Sequence, residues 1–163
     1  MKPLIFILLS FLTVSCFSEK IEFRSDTLVL EFPDTIIATG NTKFKSDQLA
    51  IHSETFSYNF NEQTGRFTDD VQIKNNNSTL RGESFQINYA TGEISGTGNN
   101  SLKYNSHKAT SDDLKISNYE ILTLLNNVKV EQNGSQIKSN QLLYNLKTDT
   151  IISDKRIKLT IKE

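Results

Sequence analysis

The chain lacks most of the residue sets on which common functions are built. It has no tryptophan and only 1 cysteine, 1 methionine, 2 prolines and 2 histidines among 163 residues. The single cysteine, Cys16, excludes an internal disulfide. His52 and His107 have polar neighbours and fit no metal-binding spacing such as H-E-x-x-H, so both read as solvent-exposed structural residues. There is no Gly-x-Ser-x-Gly elbow and no phosphate loop. Gly96-Thr-Gly98 is too short for a nucleotide fingerprint and reads as a turn. The carboxylate pairs Asp69-Asp70 and Asp112-Asp113 also read as solvated turns, because neighbours on a strand point to opposite faces and make a poor acid/base pair. Net charge is only −1, so the basic footprint of a nucleic-acid binder is missing. With these absences the chain reads as a non-enzyme that needs neither cofactor nor metal.

What is present divides into a short leader and a long periodic region. Lys2 precedes an apolar run from Pro3 to Phe17, interrupted by Ser10, Thr13 and Ser15 and followed by a polar switch at Glu19. The run is short for a membrane span and suits a secretory leader over residues 1–18. Export to a periplasm follows, with 17 basic and 19 acidic residues left once Lys2 is removed. Leu12-Thr-Val-Ser-Cys16 resembles a bacterial lipobox, with Thr13 where leucine is usual, and makes Cys16 a lipidation candidate. The alternative is ordinary cleavage after Ser18, with Cys16 and Ser18 at the two specificity positions. A single lipid chain holds a protein to a membrane only marginally without a second signal.

Beyond the leader, an eight-residue pattern occurs five times, as Phe23 to Leu30, Ile51 to Tyr58, Leu80 to Ile87, Ala109 to Ile116 and Ile137 to Tyr144. The copies start 28, 29, 29 and 28 residues apart and read apolar, any, small, polar, polar, apolar, any, apolar. A fixed period of this size marks stacked units, none of which can bury its apolar face alone. The units are strands: Phe56, Tyr58 and Phe60 alternate with polar residues, as do Phe85, Ile87 and Tyr89. Asp112 to Asn127 has helix-like spacing, but its place in the fourth unit and the run Ile121 to Leu125 favour strand. Asn133-Gly134 is a hairpin signal. Thr64-Gly65, Thr91-Gly92 and Asn75 to Ser78 read as further separators. A second landmark, Gly40-Asn41, Asp69-Asp70, Asn99-Asn100 and Asn126-Asn127, reads as a turn before a strand start.

The octamer changes parity internally. Ile51 and Ser53 share one face, and so do Phe56 and Tyr58, which a straight strand cannot achieve. The chain must bend or bulge at Glu54-Thr55, with the small residue (Ser25, Ser53, Gly82, Ser111, Ser139) at an inner corner. A corner repeated in every unit implies a sheet folded over on itself.

Ala38-Thr-Gly-Asn41, the repeated small-acidic-polar-apolar-x-aromatic step and Tyr89-Ala-Thr-Gly-Glu-Ile94 resemble the LptA/OstA-like proteins of lipopolysaccharide export, over residues 21–163. The resemblance implies an all-β fold, a single β-jellyroll domain over residues 19–163 made of stacked antiparallel strands, open along one side with an apolar lumen. It also implies lipid acyl chains in that lumen, head-to-tail self-association, and LptC-like inner-membrane and LptD-like outer-membrane partners. The inward positions are the candidate lining: Leu28, Leu30, Ile51, Phe56, Tyr58, Leu80, Phe85, Ile87, Leu114, Ile116, Ile137, Leu142 and Tyr144. For any one of them plain core packing is the better explanation; as a set the lining reading gains, since a thin roll has little interior other than its lumen. Phe23 to Leu30 and Ile157 to Ile161 are the expected sheet ends, where unpaired edges permit strand addition. Alternatives are an LptC-like tether anchored through Cys16, a polysaccharide-active parallel β-helix, and a surface β-array without a lipid ligand.

Overall fold

The computed structural model describes residues 22–31, 33–45, 49–75, 78–104, 107–118, 120–132, 134–145, 148, 150–152 and 157–161. The leader, Cys16, Tyr119 and Asn133 lie outside them.

Every regular element is a strand. In chain order they are β1 Glu22–Arg24, β2 Thr27–Glu31, β3 Thr35–Lys45, β4 Leu49–Asn59, β5 Thr64–Asn75, β6 Ser78–Asn88, β7 Glu93–Tyr104, β8 His107–Ser117, β9 Ile121–Gln132, β10 Ser135–Asn145, β11 Thr150–Ile152 and β12 Lys158–Thr160. The ambiguous stretch 112–127 is strand, divided between β8 and β9. Among the described residues all pairings are antiparallel, and from β3 to β11 each strand pairs with the next in sequence, giving one sheet in the order β1-β3-β4-β5-β6-β7-β8-β9-β10-β11. The short β2 continues the line of β1 against β3, and β12 that of β11 against β10. The parallel β-helix reading is therefore excluded. The expected sheet ends are the observed ones.

One octamer occupies each even-numbered strand from β4 to β10, and the first copy is divided between β1 and β2. Each repeat is thus one long hairpin. The hairpin tips carry their own signal: Asn59, Asn88 and Asn145 accept backbone N–H groups three residues on, from Glu62 (2.9 Å), Thr91 (2.9 Å) and Thr148 (3.0 Å). A short amide that bonds its own following backbone fixes such a turn. Gly134 takes φ 83° in the β9–β10 connection.

The second landmark is not a turn before a strand. It sits in mid-strand, where β3, β5, β7 and β9 each hold two consecutive left-handed residues: Gly40-Asn41, Asp69-Asp70, Gly98-Asn99 and Asn126-Asn127. The third pair begins one residue earlier than the sequence suggests. At each pair the register slips, as between Thr39/Thr42 and Thr68/Val71, so the odd strand carries one residue more than its neighbour. Extra residues of this kind bend a strand. The even strands turn the same corner at the two polar octamer positions, such as Glu54-Thr55. Thr64-Gly65 and Gly96 also lie within strands, not in turns.

The corner folds the sheet along its whole length into two facing halves. Phe23 from one half and Phe56 from the other meet edge-on, ring centroids 6.1 Å apart. A single apolar cluster takes side chains from both halves, including Ile51, Ile73 and Leu80 from one and Phe67, Leu114 and Leu124 from the other.

Candidate functional site

Strand pairing at this register places apolar residues in continuous rows across the inner face. One row runs Phe23, Phe44, Ile51, Ile73, Leu80, Leu102, Ala109, Val130, Ile137, Leu159. Beyond the corner another runs Leu28, Ala38, Phe56, Phe67, Phe85, Gly96, Leu114, Leu124, Leu142. A third, from Leu30 through Tyr58, Ile87, Ile116 and Tyr144 to Ile151, flanks it. Directly opposed residues share a face, so each row is a stripe of one surface.

Of the candidate lining, Ile51, Tyr58, Leu80, Phe85, Ile87, Leu114, Ile116 and Leu142 are buried in this interior. Phe56, Ile137 and Tyr144 pack against it half-buried. Leu28 and Leu30 do not belong with them: they are 54% and 55% exposed. Their row is right, but β2 lies at the sheet's end and, among the described residues, pairs only with β3 and has nothing packed over it. Sequence reasoning also missed the odd strands, which contribute Ala38, Phe44, Phe67, Val71, Ile73, Ile94, Leu122, Leu124 and Val128. The alternation Val71-x-Ile73 was the available signal, and it applies to both strands of every hairpin.

The interior is filled by these side chains. Phe85 is 0% and Leu142 1% exposed. At the β1–β3 end an open cavity of about 670 Å³ lies beside Phe23, Leu28, Asn41 and Lys43. Burial raises the Tyr58 hydroxyl pKa. Tyr58 stacks edge-on with Phe60 (5.0 Å) and Tyr89 (5.6 Å).

The outer face is charged. Lys115 and Glu93 pair at 2.8 Å and Lys129 and Glu131 at 2.6 Å. Hydrogen bonds from Lys129 and then Gln136 hold the Glu131 carboxyl below its usual range. The outside of the corner is a ladder of amides and carboxylates: Asn99 donates to Glu83 (3.2 Å), Asn126 to Asp113 (3.0 Å) and Asn127 to Asp112 (2.7 Å). Asp112-Asp113 thus serve the corner. His52 and His107 are half-buried, not solvent-exposed. Among the described residues no group of three or more His, Cys, Asp or Glu is placed to hold a metal ion.

The described residues thus form a folded antiparallel sheet with apolar side chains inside and charged ones outside. Residues 50–150, well over half the chain, match the family described as LptA/(LptD N-terminal domain) LPS transport protein. The chain belongs to this family. The match begins in β4 and ends at the first residue of β11, and so covers the octamers from Ile51 onward. The crystal structure of LptH, the LptA homologous periplasmic component of the lipopolysaccharide transport device from Pseudomonas aeruginosa, is similar at 12% identity, over 89% of this chain and 96% of that one, with a TM-score of 0.40. No curated protein matches the sequence.

Proposed function

We propose that the protein carries lipopolysaccharide through the periplasm by sheltering its acyl chains between the two halves of the folded sheet. The supporting observation is the set of unbroken apolar rows inside a sheet whose outer face is charged. Each methylene kept from water is worth roughly 0.8 kcal/mol, so a chain of about a dozen carbons carries about 10 kcal/mol of burial. Among the described residues no backbone pairing joins one half to the other across the interior. Side-chain contacts alone close the seam opposite the corner. An acyl chain that enters there replaces the apolar contacts it breaks, so loading exchanges one buried surface for another.

The exposed ends, Leu28 to Leu30 and Leu159 to Ile161, suit docking of an LptC-like inner-membrane component, an LptD-like outer-membrane component or a second copy. The protein is then a bridge, exported by its leader and released as one domain from Glu19. Mass spectrometry of the mature chain is expected to show an unmodified N-terminus at Glu19. A lipid-modified Cys16 at the N-terminus assigns the anchored tether instead.

A photo-reactive residue at Phe56 or Tyr144 is expected to crosslink to lipopolysaccharide in cells, and one at the outward Lys129 is not. Labelling that is absent, or equal at all three, would exclude the sheltered trough.

A further inference from the structure

The inner corner row runs Thr42, Ser53, Val71, Gly82, Asn100, Ser111, Val128, Ser139, pairing strand with strand. The odd strands contribute Thr, Val, Asn and Val, and only the asparagine is out of character. Asn100 is 2% exposed. Its Nδ2 donates to the carbonyls of Gly96 (3.2 Å) and Asp112 (2.8 Å), which fixes the amide's orientation. Its Oδ1 is therefore left as an acceptor, buried with no hydrogen-bond partner among the described residues. The Oγ of its register partner Ser111, 3% exposed, is also buried and unpartnered. Unpaired polar atoms of this kind are uncommon in folded interiors and costly to leave unpaired.

Two glycines make the space around Asn100 Oδ1. A Cβ at Gly82 would lie 2.6 Å from Oδ1 and 3.0 Å from the Phe85 ring. A Cβ at Gly96 would lie 2.8 Å from Oδ1 and collide with the same ring. The Phe85 edge and the acceptor thus share one socket.

From this geometry we infer that Asn100 and Ser111 form a polar subsite for a hydroxyl group on an aliphatic chain. The inference rests on the trough proposed above and specifies which chains it prefers. The chemistry follows from the two unsatisfied atoms. Asn100 Oδ1 needs a donor, and Ser111 Oγ–H can give a proton to an acceptor. A hydroxyl does both at once. A carbonyl or ester cannot donate, and a charged group is costly to bury here. Water has the same hydrogen-bonding chemistry, so the test separates the two sources.

The probes are tetradecanoic acid and 3-hydroxytetradecanoic acid, competing with a fluorescent polyene fatty acid on the full mature protein. The hydroxy acid is expected to displace the fluorophore at about fivefold lower concentration, the worth of roughly one net hydrogen bond. Asn100→Val, the residue that the neighbouring units carry, is expected to abolish or reverse that order, since the hydroxyl is then buried unpaired. Ser111→Ala, a smaller change, is expected to narrow the gap, and it serves as the test if the valine variant does not fold. Equal displacement by the two acids in the wild type overturns the subsite and means that a water, or nothing, satisfies Oδ1. A preference that survives both substitutions overturns its assignment to these residues. Displacement by neither acid is a separate result, which removes the trough and the subsite with it.

Discussion

Phe85→Ala is expected to destabilise the protein by about 3–5 kcal/mol, a large share of the roughly 5–15 kcal/mol that holds an ordinary domain folded. The ring is 0% exposed and lies in the middle row of the inner face, against the places where Gly82 and Gly96 lack side chains. Its removal leaves a cavity bounded on two sides by backbone, which cannot move in to fill it. Phe85→Leu keeps most of the volume and should cost roughly half as much. Gly96→Ala should be severe with Phe85 in place and milder combined with Phe85→Ala, because the clash with the ring is then gone and only the 2.8 Å contact with Asn100 Oδ1 is left. That non-additivity is the diagnostic result in a double-mutant cycle by urea unfolding. A loss below about 1 kcal/mol for Phe85→Ala would mean that the interior is loosely packed there.

Replacing Asn126 and Asn127 together by valine is expected to cost about 2–4 kcal/mol. Both residues are left-handed, at φ 60° and 51°. Each L side chain in that region costs roughly 1–2 kcal/mol, and a β-branched one fares worst. The substitution also removes the amide donors to Asp113 and Asp112. The double glycine variant loses the same hydrogen bonds and keeps the backbone angles, so it should remain within about 1 kcal/mol of the wild type. Those bonds are exposed, and exposed bonds contribute little. Equal cost for the valine and glycine pairs, measured by thermal and urea unfolding, would show that the backbone at this corner is not left-handed.

The corner also shows how far this fold can be read from the chain. The octamer exposes its parity change directly: Ser53 and Phe56 cannot both face inward on a straight strand, so the bend at Glu54-Thr55 is legible. Its partner on the odd strands is not. Asp69-Asp70 and Asn126-Asn127 have the composition of a loop, and nothing in composition separates a hairpin tip from two left-handed residues inside a continuous strand. The deciding fact is the register slip, which is a property of two strands together. The same limit applies to the site. Ile51, Phe85 and Leu142 are placed inward by alternation alone, because a neighbour exists on either side. Leu28 and Leu30 carry the same pattern, but their exposure depends on being last in line, which periodicity cannot register. Asn100 was read only as half of a turn pair. Its departure from the Val71 and Val128 positions becomes visible once Gly98-Asn99 is recognised as the true left-handed pair.

A chain assembled from identical hairpins grows in fixed steps. The ten strand positions lie about 4.8 Å apart, so the sheet measures roughly 43 Å from first to last. Each further repeat of 28 or 29 residues lengthens it by about 9.6 Å and leaves the cross-section unchanged. A protein of this plan therefore changes its length only by whole hairpins.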